Sequence, residues 1–270
     1  MKKLLLIPIF CLMFSSCASL FGNDKESRKP PPPPPPPAET VTKPTPKEKA
    51  EGYYQIGISY LELGEIPLAL NYFFKAKKLT PDDPKIYNAI GLAFLKRGDL
   101  KRAEENFRKA LSLKPDFSEA YLNLGILYEQ EGDLKKAREF YLKALSNPLY
   151  LTPEVAYFRL ALLDEKQGNL EKAKKELAKA IENNPDYVPA YIELAKILER
   201  EGKTEDAKVI YVRLINLYPK IQYPYYALGM LYLKQGNKKL ATKYLKKCAE
   251  INPNSDLGIK AKLKLEELHE

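Results

Sequence analysis

Apolar positions along the chain recur with the period of an α-helix and are interrupted by regularly spaced glycines. In residues 84–117, a first predicted helix carries apolar side chains three and four residues apart: Ile86, Tyr87, Ile90, Phe94 and Leu95. A second predicted helix carries another such stripe: Leu100, Ala103, Phe107, Ala110 and Leu111. Gly98 accepts the left-handed backbone of a helix end, Asp99 can cap the next helix, and Pro115 ends that helix. The segment therefore predicts two antiparallel helices joined by a tight turn.

The same pattern occurs six times between residues 50 and 255. The turn glycines follow one another at intervals of 34, 34, 36, 34 and 34 residues: Gly64, Gly98, Gly132, Gly168, Gly202 and Gly236. A small residue follows each of them at constant spacing: Ala69, Ala103, Ala137, Ala173, Ala207 and Ala241. Because one helix pair cannot bury its apolar face alone, the repetition predicts an all-α solenoid. Its six stacked units are 50–83, 84–117, 118–153, 154–187, 188–221 and 222–255.

Small residues midway along the first helices let the two helices of a unit approach closely: Gly57, Gly91, Gly125, Ala161, Ala195 and Gly229. Tyrosines in the first helices fill the space between units: Tyr53, Tyr87, Tyr121, Tyr157, Tyr191 and Tyr225. In the second helices, Phe73 or Phe74 has this role in the first unit. Residues 256–270 lack the turn and the second helix, and they predict a polar capping helix for the exposed end of the stack.

This unit resembles the tetratricopeptide repeat, which has a bulky aromatic residue, an aliphatic residue followed by Gly or Ala, and later Ala, an aromatic residue, Ala and Pro. The likeness covers about three quarters of the chain. Tyrosine replaces the usual tryptophan, Leu214 and Cys248 replace an expected alanine, and the third unit is longer around Pro148. The resemblance implies a right-handed superhelical solenoid of six helix-turn-helix repeats whose first helices line a concave groove.

Groove-facing positions in the first helices are those that packing does not require, and they form three rows. The first groove row contains Tyr54, Asn88, Leu122, Phe158, Ile192 and Tyr226. The second groove row, one turn further on, contains Ile58, Leu92, Ile126, Leu162, Lys196 and Met230. The third groove row contains Leu61, Leu95, Glu129, Glu165, Glu199 and Leu233. All members of the first two rows except Lys196 are candidate partner-binding residues, because a long apolar stripe suits a polypeptide with apolar anchors.

Two other readings bear on the groove. Its apolar residues can also pack against neighbouring units. Some tetratricopeptide repeat domains bind peptide carboxyl termini through a clamp of Lys, Asn and Arg; here Arg159 stands without the other clamp residues. The sequence therefore does not favour a carboxylate clamp.

The first 22 residues predict export and lipidation. Lys2 and Lys3 precede an apolar run of eleven residues, 4–14, which is shorter than the about 20 residues that span a bilayer. Small residues then lead into Cys17, and this arrangement resembles the lipobox of bacterial lipoproteins. Residues 1–16 are therefore predicted to be a signal peptide and Cys17 the lipidated residue. The alternatives are cleavage after Ala18, which gives a soluble secreted protein, and retention of the segment as a marginal anchor.

Residues 17–49 are predicted to be a linker. Eight consecutive prolines, 30–37, favour an extended polyproline II helix of about 25 Å, and the linker is interpreted as a spacer. The alternative is that the prolines bind an aromatic groove on another protein. Of the three cysteines, Cys11 lies in the signal, Cys17 carries lipid and Cys248 fills a small core position, so no disulfide is expected.

The net charge of +9 falls to a small excess in the repeats, where 36 basic residues face 31 acidic ones. Lysine pairs such as Lys135-Lys136 alternate with glutamates at helical spacing, which indicates a solvated convex face with surface ion pairs. Nucleic acid is not an expected partner. The one histidine is His269, and no nucleophile with a base, phosphate loop or metal-ligand cluster is visible. We expect no enzyme activity, no cofactor and no metal.

These features predict a non-enzymatic, membrane-anchored interaction scaffold of the bacterial envelope. The plan of lipobox, linker and six repeats resembles the pilotin lipoproteins of type IV pilus biogenesis, which implies a role in assembly of an outer-membrane secretin. Ala18 is not the aspartate that commonly retains lipoproteins at the inner membrane, so the outer membrane, facing the periplasm, is favoured. The alternatives are an adaptor in outer-membrane protein assembly and a structural lipoprotein that contacts cell wall or anionic lipid through its lysine-rich convex face.

Overall fold

The computed structural model describes residues 43–269, and this range contains thirteen helices and no strand. The odd-numbered helices up to α11 are the first helices of the repeats: α1 Pro46–Glu62, α3 Pro84–Lys96, α5 Ser118–Gln130, α7 Pro153–Lys166, α9 Val188–Arg200 and α11 Gln222–Lys234. The even-numbered helices are the second helices: α2 Ile66–Leu79, α4 Leu100–Leu113, α6 Leu134–Leu145, α8 Leu170–Asn183, α10 Thr204–Leu217 and α12 Lys238–Ile251. The last helix is α13, Asp256–His269.

Each first helix packs against its own second helix, and each second helix packs against the next first helix. Helix α13 covers the last pair, where Ala261 is buried beside Cys248 and Leu245. The arrangement confirms the predicted fold class, an all-α right-handed superhelical solenoid of six helix pairs and a capping helix.

The turns within the repeats form as the glycine spacing predicts. Gly98 has a φ of 82°, and the turn glycines of the other five repeats are also left-handed. A side-chain oxygen of Asp99 then accepts a hydrogen bond of 3.2 Å from the backbone N–H of Arg102, which caps α4. A side chain at Gly98 would carry the steric cost of the left-handed region, so this position fixes the turn.

The core lies between the paired helices. Phe107 is fully buried and faces Gly91 so closely that a methyl group at Gly91 would meet its ring carbons at 2.6 Å. In the first repeat, Phe73 takes the corresponding place with no exposed surface, whereas Phe74 is exposed. Small residues at the crossing point therefore make room for a ring from the second helix.

Helix α1 begins four residues earlier than the boundary drawn from the sequence. The Thr45 hydroxyl accepts the backbone N–H of Glu48 at 3.2 Å, and the Glu48 carboxylate accepts the backbone N–H of Thr45 at 2.7 Å. This capping box starts the helix at Pro46, where proline is well tolerated. Assigning residues 46–49 to the linker was therefore wrong. The predicted signal peptide, Cys17 and the proline run lie outside the described residues.

Candidate partner-binding groove

The first helices lie side by side and run in the same direction. The end of α7 meets the end of α5 through an ion pair of 2.7 Å between Lys166 and Glu129. The end of α9 meets the end of α7 through a pair of 2.6 Å between Arg200 and Glu165. Equivalent positions in successive repeats therefore form rows across the surface that these helices share.

All the candidate residues of the first two groove rows are partly exposed. Most of them also pack against the apolar core: Tyr54, Ile58, Leu92, Leu122, Ile126, Phe158, Ile192 and Tyr226. Asn88 instead accepts a hydrogen bond of 2.9 Å from the side-chain amide of Asn123 in the next repeat. Two candidates, Leu162 and Met230, are not packed against any core cluster of residues 43–269.

Leu162 and Met230 each line an open cavity of about 420 Å³. Charged side chains surround Leu162: Glu129, Glu165, Lys166, Glu193 and Arg200. Met230 shares its cavity with Leu231, Leu233, Glu199, Thr204 and Lys234. Both cavities place a partly exposed apolar side chain beside charged groups, an arrangement that suits a partner with an apolar anchor.

The third groove row differs from the expectation. Leu61 and Leu95 are buried, with exposed fractions of 3% and 4%, so interpreting them as groove-lining residues was wrong. Each lies twelve residues before the core phenylalanine of its second helix, and both pack in the same core cluster as Phe73 and Phe107. These two positions therefore belong to the core rather than to the groove.

The glutamates of the third row are tied to tyrosines of the second helices. Tyr141, which is fully buried, donates its hydroxyl to Glu129 at 2.8 Å, and Tyr211 donates to Glu199 at 2.6 Å. Burial alone would raise the pKa of Glu129, but hydrogen bonds from Lys166 and Tyr141 outweigh it and hold this pKa below its ordinary value of 4.5. Burial and the nearby Glu129 carboxylate raise the pKa of Tyr141. Sequence reasoning missed these ties.

A further cavity that the sequence did not indicate lies at the start of the stack. Its volume is about 570 Å³, and it combines Tyr54 and Ile86 with acidic residues of α1 and of the connection between α2 and α3: Glu48, Glu51, Asp82 and Asp83. Burial, followed by the carboxylates of Glu51 and Asp83, raises the pKa of Tyr54. The lining residues come from α1, from the connection after α2 and, with Ile86, from α3, so the cavity depends on how α3 packs onto the first repeat.

The convex face carries ion pairs, as the alternation of lysine and glutamate predicts. Lys143 contacts Glu139 at 2.7 Å, and Lys136 contacts Asp133 at 3.1 Å. Lys174 contacts Glu171 of its own helix at 2.6 Å and Glu201, which follows α9 in the next repeat, at 2.7 Å. These lysines are engaged within the protein, which lowers the positive charge that the face offers to an anionic polymer.

Within residues 43–269, no group of three His, Cys, Asp or Glu side chains is placed to hold a metal ion. In the same range, no helix has the length and apolarity needed to cross a membrane. The described thiol, Cys248, is buried, and burial raises its pKa to about 11, so the neutral form dominates.

Comparisons with known proteins agree with this architecture. Three family models described as tetratricopeptide repeat match the chain, at residues 50–83, 88–150, 164–226 and 223–255. Together these segments cover more than half of the sequence. Comparison with the curated proteins gives no match.

Among solved structures, PilF of Pseudomonas aeruginosa is similar at a TM-score of 0.65 and 20% identity, covering 81% of this chain and 99% of PilF. PilW, described as a widely conserved type IV pilus biogenesis factor, is similar at a TM-score of 0.65 and 22% identity, covering 78% of this chain and 97% of PilW. YrrB, described as a protein with an unusual peptide-binding site, matches at 0.50 and 24% identity over 70% of this chain and 97% of YrrB. At these identities the likeness concerns the fold.

Proposed function

The chain belongs to the tetratricopeptide repeat family, and on that premise we propose that it is a lipid-anchored scaffold of the bacterial envelope without enzymatic activity. Its groove binds a polypeptide segment of another envelope protein. We further propose that this partner belongs to the outer-membrane secretin or to the type IV pilus machinery, whose assembly the scaffold assists.

The observation that carries the proposal is the pair of groove cavities at Leu162 and Met230. Each leaves an apolar side chain partly exposed beside charged groups, and the two cavities lie two repeats apart in the stack. At Leu162 the charged groups are held by ion pairs between repeats, such as Glu129 with Lys166, so this cavity is organised before a partner arrives. A partner with two apolar anchors on one face fits this spacing of sites.

The sequence before α1 supports the anchor. Cys17 follows an apolar run of the length of a signal peptide, and 28 residues separate it from Pro46. We propose that the lipid on Cys17 holds the protein at the outer membrane, on the periplasmic side, with the proline-rich segment linking the lipid to the repeats. The likeness to PilF and PilW, which this chain covers almost completely, supports the choice of pilus machinery as the assisted assembly.

A genetic test separates the groove from the rest of the surface. The variants Leu162→Glu and Met230→Glu place a carboxylate in each cavity, whereas Leu142→Glu alters a side chain of α6 that is 53% exposed on the convex side. We expect the double groove variant, like deletion of the protein, to abolish secretin multimers in envelope fractions, and the Leu142 variant to retain them. Normal multimers in the deletion strain would reject the secretin role. Normal multimers in the groove variant alone would reject the groove.

A further inference from the structure

The connection between α6 and α7 exposes leucines where the other repeats have polar residues. Leu149 and Leu151 are 80% and 86% exposed, the highest values among the large apolar side chains of residues 43–269. The position of Leu149 is polar in the other five repeats: Asp82, Asp116, Asp186, Lys220 and Asn254. Leu151 belongs to the two additional residues of the third repeat. The other five repeats stack without leucines at these places, so solenoid packing does not require either leucine.

The connection that displays these leucines is itself well packed. Tyr150, between them, is 7% exposed and packs beside Ala144 and Ala156. Asn147 organises the chain on both sides: its side-chain oxygen accepts the N–H of Leu149 at 2.9 Å, and its amide donates to the carbonyl of Asp116 at 2.9 Å. The two leucines are therefore presented outward on a fixed backbone.

The leucines project from the edge of the solenoid at which the chain enters it. The first helices are parallel to one another, so the beginnings of α1 and α7 lie on the same edge, together with every connection between repeats. We call it the connection edge. The turn glycines and Leu63, which is 74% exposed, lie on the opposite edge. The residues before Pro46, which contain Cys17, thus join the body on the edge that carries Leu149 and Leu151.

We propose that the connection edge lies against a lipid surface and that Leu149 and Leu151 insert at the boundary between headgroups and acyl chains. This inference rests on the proposed lipid anchor at Cys17. A bilayer accepts two neighbouring leucines without a complementary pocket. Asp116 and Asp186 occupy the place of Leu149 in the neighbouring connections, so the two leucines are the apolar part of an otherwise polar edge.

In this orientation the first helices stand upright on the membrane, because they start at the connection edge. The groove then runs along the membrane surface, and its cavities at Leu162 and Met230 open sideways. A partner in the same membrane can therefore reach both cavities.

The test uses the full, lipidated chain in vesicles of phosphatidylethanolamine and phosphatidylglycerol that contain a doxyl-labelled lipid. Leu149→Cys and Leu151→Cys each carry an environment-sensitive fluorophore, and Leu63→Cys is the control on the opposite edge. We expect the doxyl lipid to quench the first two labels by about half or more, since inserted side chains reach about 5–10 Å into the boundary. Equal quenching at positions 63, 149 and 151 overturns the proposal. The chain without an added cysteine gives the background, which is small because Cys248 is buried.

Two further outcomes are distinct. Flotation of the unlabelled chain with vesicles, compared with Cys17→Ser, tests the anchor alone. An anchored chain whose labels at positions 149 and 151 are unquenched rejects the edge orientation and leaves the proposed function standing. The other outcome is that the label spectra at positions 149 and 151 shift with protein concentration and do not respond to the doxyl lipid. That result assigns the leucines to a contact with a second copy of the chain and overturns the lipid proposal.

Discussion

The hydroxyl of Tyr141, in the second helix of the third repeat, donates a hydrogen bond of 2.8 Å to the carboxylate of Glu129 in the groove wall. The same relationship joins Tyr211 to Glu199 in the fifth repeat. The first two repeats have a different pair at these two places: Phe73 with Leu61 and Phe107 with Leu95. In these four repeats, a tyrosine of the second helix thus pairs with a groove glutamate, and a phenylalanine at the same place pairs with a buried leucine.

This pairing predicts non-additive substitutions. Glu129→Leu leaves the Tyr141 hydroxyl buried without an acceptor, which we expect to cost about 1–3 kcal/mol of unfolding free energy. Tyr141→Phe removes a hydrogen bond and costs about 1 kcal/mol. The double variant recreates the pair of the first two repeats and should cost less than the sum by about 1 kcal/mol. Urea denaturation of the four proteins measures the coupling, and costs that simply add would contradict it.

The lowered pKa of Glu129 predicts a dependence on acid. A carboxyl whose pKa is lower in the folded than in the unfolded protein stabilises the fold above its unfolded pKa, and the stabilisation disappears as pH falls through the folded pKa. The stability difference between the natural protein and Glu129→Gln should therefore be largest near neutral pH and decline below pH 4.5, the ordinary value for this group. Thermal unfolding of both proteins between neutral pH and pH 3 tests this, and a constant difference would exclude the mechanism.

Two glycine-to-alanine substitutions should have opposite effects. At Gly91, a methyl group meets the ring of Phe107 at 2.6 Å and the Ala103 carbonyl at 3.1 Å, so we expect Gly91→Ala to destabilise the protein by about 1–3 kcal/mol. At Gly52, in the exposed face of α1, nothing lies within 4 Å of the added carbon. Gly52→Ala should stabilise by about 0.5–1 kcal/mol through helix propensity. Melting temperatures of both variants, measured by circular dichroism, test these predictions. Shifts of the two melting temperatures in the same direction would contradict the difference in packing at Gly91 and Gly52.

The ion pair between Arg138 and Asp164 should matter more than an exposed pair. Arg138 contacts Asp164 at 2.7 Å across two repeats, and the Asp164 side chain is only 3% exposed. Arg138→Met leaves this carboxylate buried without its partner and should cost about 3–5 kcal/mol. The matched control is Lys143→Met, whose partner Glu139 is 59% exposed and which should cost about 0–1 kcal/mol. Similar losses in urea denaturation would show that burial does not decide the value of the pair.

Lipidation predicts that Cys17→Ser moves the protein from the membrane to the soluble fraction. The lipid is attached through the Cys17 thiol in this proposal, and the substitution replaces only the sulfur atom, by oxygen. Fractionation of cells with antibody detection measures the change. If Cys17→Ser remains in the membrane fraction, the anchor is either an uncleaved apolar segment or a bound partner, and lipidation at Cys17 is wrong.

The sequence predicts features that depend on one residue type at one place. Gly98 illustrates this, because only the left-handed backbone explains its recurrence, and the turn is where the spacing puts it. Whether a first-helix leucine lines the groove depends instead on what packs against it. Leu95, of the third groove row, is buried in the same cluster as Phe107, whereas Leu162, of the second groove row, is partly exposed and lines a cavity. Periodicity resolves the face of a helix but not this difference within a face.

Helical periodicity also predicted neither the start of α1 nor the exposure of Leu149 and Leu151. The capping box at Thr45 and Glu48 is a local signal that was present in the sequence and overlooked. Leu149 and Leu151 look like core residues by composition, and only the packing of Tyr150 between them turns both outward.

The central claim is that the groove, and not the convex face, holds the envelope partner. The most direct measurement places a photo-crosslinking amino acid at Leu162 or Met230, and at Leu142 or Lys135 on the convex side, in cells that make the full chain. The account predicts that the two groove positions crosslink to the same envelope protein and that the convex positions do not. Crosslinks to that protein from the convex positions, with none from Leu162 and Met230, would contradict it.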